Sequence, residues 1–275
     1  MQSQVLCPLA PRPFLKWAGG KGKLISQYSF YFPKNYSSYY EPFLGGGAIF
    51  FHLQPRQAWL MDINSELVNV YQCVRDRLPE VLELLAFHRD AHCHEYYYHM
   101  RACIPTAAIE RAARLIYLNK TCFNGLYREN SKGQFNVPMG SYKKPGIFDP
   151  TLLFAASRSL QTATIQMAPF ESVLNYANTS QDFVYFDPPY FPISATSNFT
   201  AYSRYAFKEE DHIRLRDTFA TLAQRGVKVM LSNSDCPFVR DLYQGFQIHP
   251  ILAARAINSK ATRRGKITEL LITSY

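Results

Sequence analysis

The chain lacks any apolar run long enough to cross a membrane, and its start carries no basic, apolar and small-residue leader. Both absences set the expectation of a cytoplasmic protein with no membrane partner. Its six cysteines, Cys7, Cys73, Cys93, Cys103, Cys122 and Cys236, include no Cys-x-x-Cys pair, so they read as reduced thiols and not as a disulfide framework. No metal is expected either. His88, His92 and His94 flank Cys93, with His88 and His92 four apart on an expected helix, but no carboxylate or second ligand pair stands ready to complete a tetrahedral site. Low-complexity segments and internal repeats are absent. Two phosphate-binding signatures fail. Gly20-Lys21 has Leu15 where a phosphate loop needs glycine and Gly22 where it needs Ser or Thr, and Gly45 and Gly47 are followed by Phe50 where a dinucleotide fingerprint needs its third glycine. Acid is the scarcer charge: 21 Asp and Glu against 30 Lys and Arg leave a net charge of +9, which favours a polyanionic partner.

What is present begins with Asp187-Pro188-Pro189-Tyr190, which follows the apolar run Phe183, Val184, Tyr185 and Phe186. A strand that ends in a carboxylate, two rigid prolines and an aromatic ring suits a flat, amine-bearing substrate. The prolines hold an extended turn in which the carboxylate and backbone carbonyls stay available as acceptors, and Tyr190 offers a face for stacking. An exocyclic amine conjugated to a ring is a poor nucleophile, and two acceptors on its hydrogens localise the lone pair on nitrogen. Upstream, Tyr39 to Phe51 reads as strand, glycine turn and helix around Gly45 and Gly47, where a ligand can approach the backbone. A short strand from Ala58 to Met61 then ends at Asp62, where α/β folds bind ribose hydroxyls. Taken singly, each of these is as easily a loop or a helix cap; the pair at this spacing says more.

The texture changes twice along the chain. Residues 13 to 62 read as nucleotide-binding α/β; helical patterns then dominate over Asn64 to Arg77, Pro79 to Arg89 and Thr106 to Asn119. A polar loop rich in Gly, Asn, Lys and aromatics runs from Lys120 to Gly146, and Asp149-Pro150 reads as a helix cap with proline at the first helical position. From about Thr164 the α/β pattern returns, with strands expected at Ile165 to Met167, Phe183 to Phe186, Val227 to Ser232 and Leu270 to Thr273, and a helix from Lys208 to Arg225. These segments predict an α/β fold: a mostly parallel sheet whose halves, 1–63 and 164–275, are interrupted by a helical insertion at 64–163, with the site at the carboxyl ends of the strands.

Six blocks in one order, Phe-Leu-Lys-Trp-Ala-Gly-Gly-Lys from Phe14, Glu-Pro-Phe-Leu-Gly-Gly-Gly from Glu41, Asp-Ile-Asn-Ser from Asp62, Asn-Gly-Leu-Tyr-Arg from Asn124, Phe-Asn-Val-Pro-Met-Gly from Phe135 and Asp-Pro-Pro-Tyr from Asp187, resemble the Dam-type (D12 class) DNA adenine methyltransferases. The resemblance runs from about Pro13 to Tyr275 and includes the segment Ser194 to Tyr202. It implies a Rossmann-like methyltransferase core with an inserted DNA-recognition domain, S-adenosyl-L-methionine as the only cofactor, and double-stranded DNA as partner. It also implies a monomer, or a dimer on DNA, in the cytoplasm with the prokaryotic nucleoid. Carried over residue by residue, Asp187, Pro188 and Tyr190 are catalytic, and Trp17, Lys21, Glu41, Phe43, Gly45, Gly47, Asp62 and Asp187 surround the cofactor. On the DNA side stand Lys16, Phe123, Asn124, Leu126, Arg128, Pro138 and Lys144, with Phe123 a wedge and Arg128 and Lys16 readers of guanine within GATC. Chemistry agrees in part, since arginine can donate two hydrogen bonds to guanine and an apolar ring can fill the gap left by a flipped base. Ser141 departs from relatives that carry an arginine there. Three classes stay open: a DNA adenine methyltransferase, with GATC or a longer site containing GAT; an RNA or protein methyltransferase sharing the Asp-Pro-Pro-Tyr corner; and a non-catalytic DNA-binding protein.

Overall fold

A computed structural model describes residues 9–193, 207–254 and 266–275. The segment Ser194 to Tyr202 lies outside the described residues. Seven strands form one sheet: β1 (Ser38–Glu41), β2 (Ala58–Asp62), β3 (Ala163–Met167), β4 (Asp182–Phe186), β5 (Lys228–Ser234), β6 (Gln247–Ala254) and β7 (Lys266–Thr273). Their order is β3-β2-β1-β4-β5-β7-β6. Pairs β1/β2, β1/β4 and β4/β5 are parallel, whereas β7 runs antiparallel to both β5 and β6. The fold is therefore α/β with a mostly parallel sheet, as the sequence predicts.

Two compact units share the chain. One comprises residues 1–21, 45–54 and 64–165; the other comprises 22–44, 55–63 and 166–275. The first holds α2 (Ala48–Leu53), α3 (Ser65–Asp76), α4 (Leu78–Asp90), α5 (His94–Ala102), α6 (Ala108–Thr121) and α7 (Pro150–Leu160). Asn64 starts α3 by accepting from the backbone N–H of Glu66 and Leu67, both at 3.1 Å, and Asp149 starts α7 by accepting from Leu152 N at 3.2 Å. Helix α3 packs on α6 and α7, and buries Leu67, Val70, Tyr71 and Val74 at the spacing of one helical face. Each such side chain removed from water contributes roughly 1.5–3 kcal/mol.

The second unit holds the sheet's centre together with α1 (Ile25–Tyr28), α8 (Glu209–Gln224) and α9 (Pro237–Leu242). Leu215, Phe219 and Leu222 of α8 pack with Val184 and Phe186 of β4 and Val229 and Leu231 of β5. Strand β4 is buried on both faces, which is why its sequence is a continuous apolar run and not an alternating one.

One local expectation changes, and two elements stand where none was expected. Helix α4 ends at Asp90, so His92 lies beyond it; His92 Nδ1 faces Tyr117 Oη at 2.8 Å while His88 Nδ1 faces Tyr96 Oη at 2.6 Å. The short helix α5 escapes periodicity because its surface is tyrosine and histidine, with Cys93 Sγ accepting from Tyr96 N at its start. Strand β6 escapes because Gln247, His249 and Pro250 break the apolar pattern, which an edge strand tolerates.

Candidate active site

In the second unit the site grows from the carboxyl ends of the parallel strands. Leu44 N donates to Met61 O at 3.0 Å and Ala168 N to Asp62 O at 3.2 Å, which ties the exits of β1, β2 and β3 together. Glu41, at the end of β1, is buried and accepts from Tyr39 Oη at 2.8 Å. Burial, and then the Glu41 charge, hold the Tyr39 phenol well above its ordinary pKa, so it remains a donor. Phe43 stacks on Phe170 with ring centres 5.5 Å apart and meets the edge of Phe207 at 5.7 Å. Asp62, half-buried, closes β2.

Beyond β4 the chain turns through Asp187, Pro188, Pro189 and Tyr190, with Pro188 buried and the other three partly so. The end of β5 grips this turn at both sides. Ser232 Oγ donates to Asp187 Oδ1 at 2.8 Å. Phe191 N donates to Asn233 Oδ1 at 3.1 Å, and Ser234 Oγ donates to Phe191 O at 2.7 Å. Because the single Ser232 hydroxyl proton goes to Asp187, its oxygen accepts from Tyr185 Oη at 3.0 Å. Tyr185 is completely buried, and that burial pushes its phenol well above the usual range, so it keeps its proton. From β7, Glu269 Oε2 accepts from Tyr190 Oη at 2.8 Å. Tyr28 also lies beneath the corner; burial and then the Asp187 and Glu269 charges raise its pKa.

The first unit holds the remaining sequence-predicted residues. Gly45 adopts φ +46°, and a Cβ there would fall 3.0 Å from the Trp17 indole, so only glycine lets ring and backbone meet. Gly47, at φ 64°, precedes α2. Trp17 stacks on Tyr127 at 5.3 Å, and Lys21, buried, donates through Nζ to Gly19 O at 2.6 Å. Asn119 joins the Lys16 segment to the loop at Gly125: it accepts from Lys16 N at 2.8 Å and donates to Lys16 O at 2.7 Å and Gly125 O at 3.1 Å.

That loop exposes Phe123 and Asn124, the latter in the left-handed region at φ 55°, and half-buries Leu126. Phe123 N donates to Pro138 O at 2.9 Å. Exposed Arg128 donates through Nε to Asn136 Oδ1 at 2.7 Å. Lys16 Nζ reaches Tyr142 Oη at 3.2 Å, and Lys144 is exposed. Burial, and then the Lys16 and Arg12 charges, lower the Lys120 pKa to about 8.

A corner that holds a carboxylate and an aromatic ring at the exit of a parallel strand fits a transferase acting on an amine. The D12 class N6 adenine-specific DNA methyltransferase family matches residues 17–257. The chain belongs to this family. Relatives include the type II methyltransferase M1.LlaDCHI of Lactococcus lactis subsp. cremoris, 45% identical over 96% of this chain and 95% of its own. The type II methyltransferase M.MjaIII of Methanocaldococcus jannaschii is 42% identical over 96% of this chain and 99% of its own, and the DNA adenine methylase of Escherichia coli K12 is 36% identical over 94% of each. Family membership makes the chain an adenine-specific DNA methyltransferase and sets aside both the RNA or protein methyltransferase and the non-catalytic binder.

Sequence reasoning missed several residues that hold the candidate side chains: Ser232, Asn233, Ser234 and Glu269 around the Asp187 turn in the second unit, and Asn119 beside Lys16 in the first. A run of Ser, Asn and Ser at the end of an expected strand was the only available signal for the first group. Among the described residues no helix is long and apolar enough to cross a membrane.

Proposed function

We propose that the methyltransferase moves a methyl group from S-adenosyl-L-methionine to N6 of adenine within GATC in double-stranded DNA, after rotating the adenine out of the stack. The observation that carries this reading is the Asp187 carboxylate held by Ser232 beside a Tyr190 ring anchored to Glu269. Asp187 and the Pro188 carbonyl accept the two amino hydrogens of the adenine, and Tyr190 stacks on its ring. The amine lone pair is thereby localised for direct displacement without a covalent enzyme intermediate, and Asp187 acts by position and charge. Base rotation follows from chemistry, since N6 cannot be reached inside a duplex.

The chain's residues fit the cofactor by type. In the second unit, Asp62 suits ribose hydroxyls, and Phe43 and Glu41 supply an apolar slab and an acceptor. In the first, the bare backbone at Gly45 and Gly47, the Trp17 indole and the Lys21 ammonium suit a ligand that carries both a purine and a carboxylate. S-adenosyl-L-methionine, when bound, supplies an electrophilic methyl on sulfonium sulfur. On DNA, Phe123 fills the vacated space; Arg128 and Lys16 read guanine; Asn124, Leu126 and Pro138 shape the loop; Lys144 contacts phosphate. The segment 64–163 is the recognition insertion between the two halves of the core. The enzyme acts as a monomer, or a dimer on DNA, in the cytoplasm at the nucleoid, and the net charge of +9 supports the DNA partner.

Methylation rates on duplexes carrying each single-base variant of GATC test this reading. A sharp preference for GATC regardless of flanks supports it, whereas equal rates on the variants, or activity only with fixed flanking bases, overturns the target. Arg128→Ala should cost about 1–3 kcal/mol of discrimination at one base pair, while Lys144→Ala should weaken all sequences alike and flatten the salt dependence.

A further inference from the structure

We propose that Glu269 is a positioning residue for methyl transfer, setting the attitude in which the Tyr190 ring meets the target base; this rests on the function proposed above. The turn from Asp187 to Phe191 is held at its backbone by β5, through Asn233 and Ser234 at Phe191 and through Ser232 at the Asp187 carboxylate. The Tyr190 hydroxyl lies near the Ser232 and Tyr28 hydroxyls, and Glu269 holds it from a different strand, accepting from Tyr190 Oη at 2.8 Å. The register of the sheet makes the contact possible: β7 runs antiparallel to β5 with Glu269 opposite Ser234, so its carboxylate emerges beside the residues that grip the turn.

A tyrosine anchored at its Cα and at its hydroxyl cannot swing about its first side-chain torsion. Because a phenolic O–H prefers the plane of its ring, the direction of the acceptor also biases the plane itself. Stacking depends on that plane, since offset parallel rings attract and tilted ones lose contact area.

The experiment uses full-length enzyme and measures single-turnover methyl transfer to a GATC duplex, cofactor affinity by calorimetry, and the fluorescence of a duplex with 2-aminopurine at the target position. Glu269→Ala should lower the transfer rate roughly tenfold, the scale of one charge-assisted hydrogen bond. It should leave cofactor affinity unchanged and weaken the quenching of the rotated 2-aminopurine by its stack. Glu269→Gln, which keeps an acceptor and loses the charge, should recover most of the rate and the quenching. Tyr190→Phe should match Glu269→Ala, and the double variant should fall no further. An unchanged rate in Glu269→Ala, a Glu269→Gln loss as large as that of Glu269→Ala, or additive losses in the double variant would each overturn the inference. If Glu269→Ala fails to fold, the comparison of Glu269→Gln with Tyr190→Phe decides alone: a Gln variant as slow as the Phe variant rejects the proposal. A wild-type enzyme inactive on every adenine duplex overturns the functional reading and the inference with it, whereas an active wild type with an unaffected Glu269→Ala overturns the inference only.

Discussion

Ser232 Oγ donates to Asp187 Oδ1 across 2.8 Å, linking the last residues of β5 to the carboxylate that follows β4. The neighbouring strands pair Phe186 with Leu231, so Ser232 comes next to Asp187 by register alone. A hydrogen bond to a charged group is worth about 1.5–3 kcal/mol, and Ser232→Ala should therefore slow methyl transfer about ten- to a hundredfold if the bond acts fully in the transition state. Tyr185→Phe, one bond further back, should cost less. Single-turnover rates check both, and a Ser232→Ala enzyme as fast as wild type contradicts the arrangement.

Asp62 closes β2 at the sheet's carboxyl edge, the position from which a carboxylate holds ribose hydroxyls. Asp62→Ala should raise the S-adenosyl-L-methionine dissociation constant with a smaller effect on DNA affinity. Calorimetry that finds normal cofactor binding rejects the assignment.

Gly125 sits at φ +65°, and a Cβ there would fall 2.4 Å from the Lys16 side chain. Gly125→Ala should displace Lys16 and strain the turn by roughly 1–2 kcal/mol. With Asn119 bonded to both segments, the displacement should reach DNA reading before it reaches chemistry. The expected result is a reduced preference for GATC over single-base variants with cofactor affinity intact; undiminished preference contradicts the coupling of Lys16 to the loop.

His88 is held neutral by burial, which lowers its pKa from 6.5 to about 4. Between those values the unfolded chain takes up a proton that the folded chain refuses. Its contribution to stability is therefore complete above about pH 6.5 and declines as pH falls toward 4. His212 is lowered in the same direction, chiefly by burial, and adds to the same slope. Urea midpoints measured between pH 7 and pH 4.5 should fall less steeply in His88→Leu than in wild type. Equal slopes contradict a buried neutral His88.

Much of this was legible in the sequence where the signal is local. The Asp149 cap with Pro150 behind it, the apolar run of β4 and the glycine turn at Gly45 each depend on near neighbours, and each formed as expected. The partners of Asp187 and Tyr190 were not legible, because Ser232 and Glu269 come from strands 45 and 79 residues away in sequence. Asn119 lies 103 residues from Lys16, and an asparagine inside an apolar helix carries no hint of which backbone it will satisfy. Long-range register, which no local pattern encodes, decides those contacts.

Single-molecule sequencing of DNA from methylation-deficient cells expressing this chain tests the central claim most directly, because it reports the modified base and its context together. The expected result is N6-methyladenine at GATC on both strands, lost when Asp187→Ala replaces the wild-type chain. Unmodified adenine throughout, modification of another base, or a GATC signal that persists in Asp187→Ala would contradict the account.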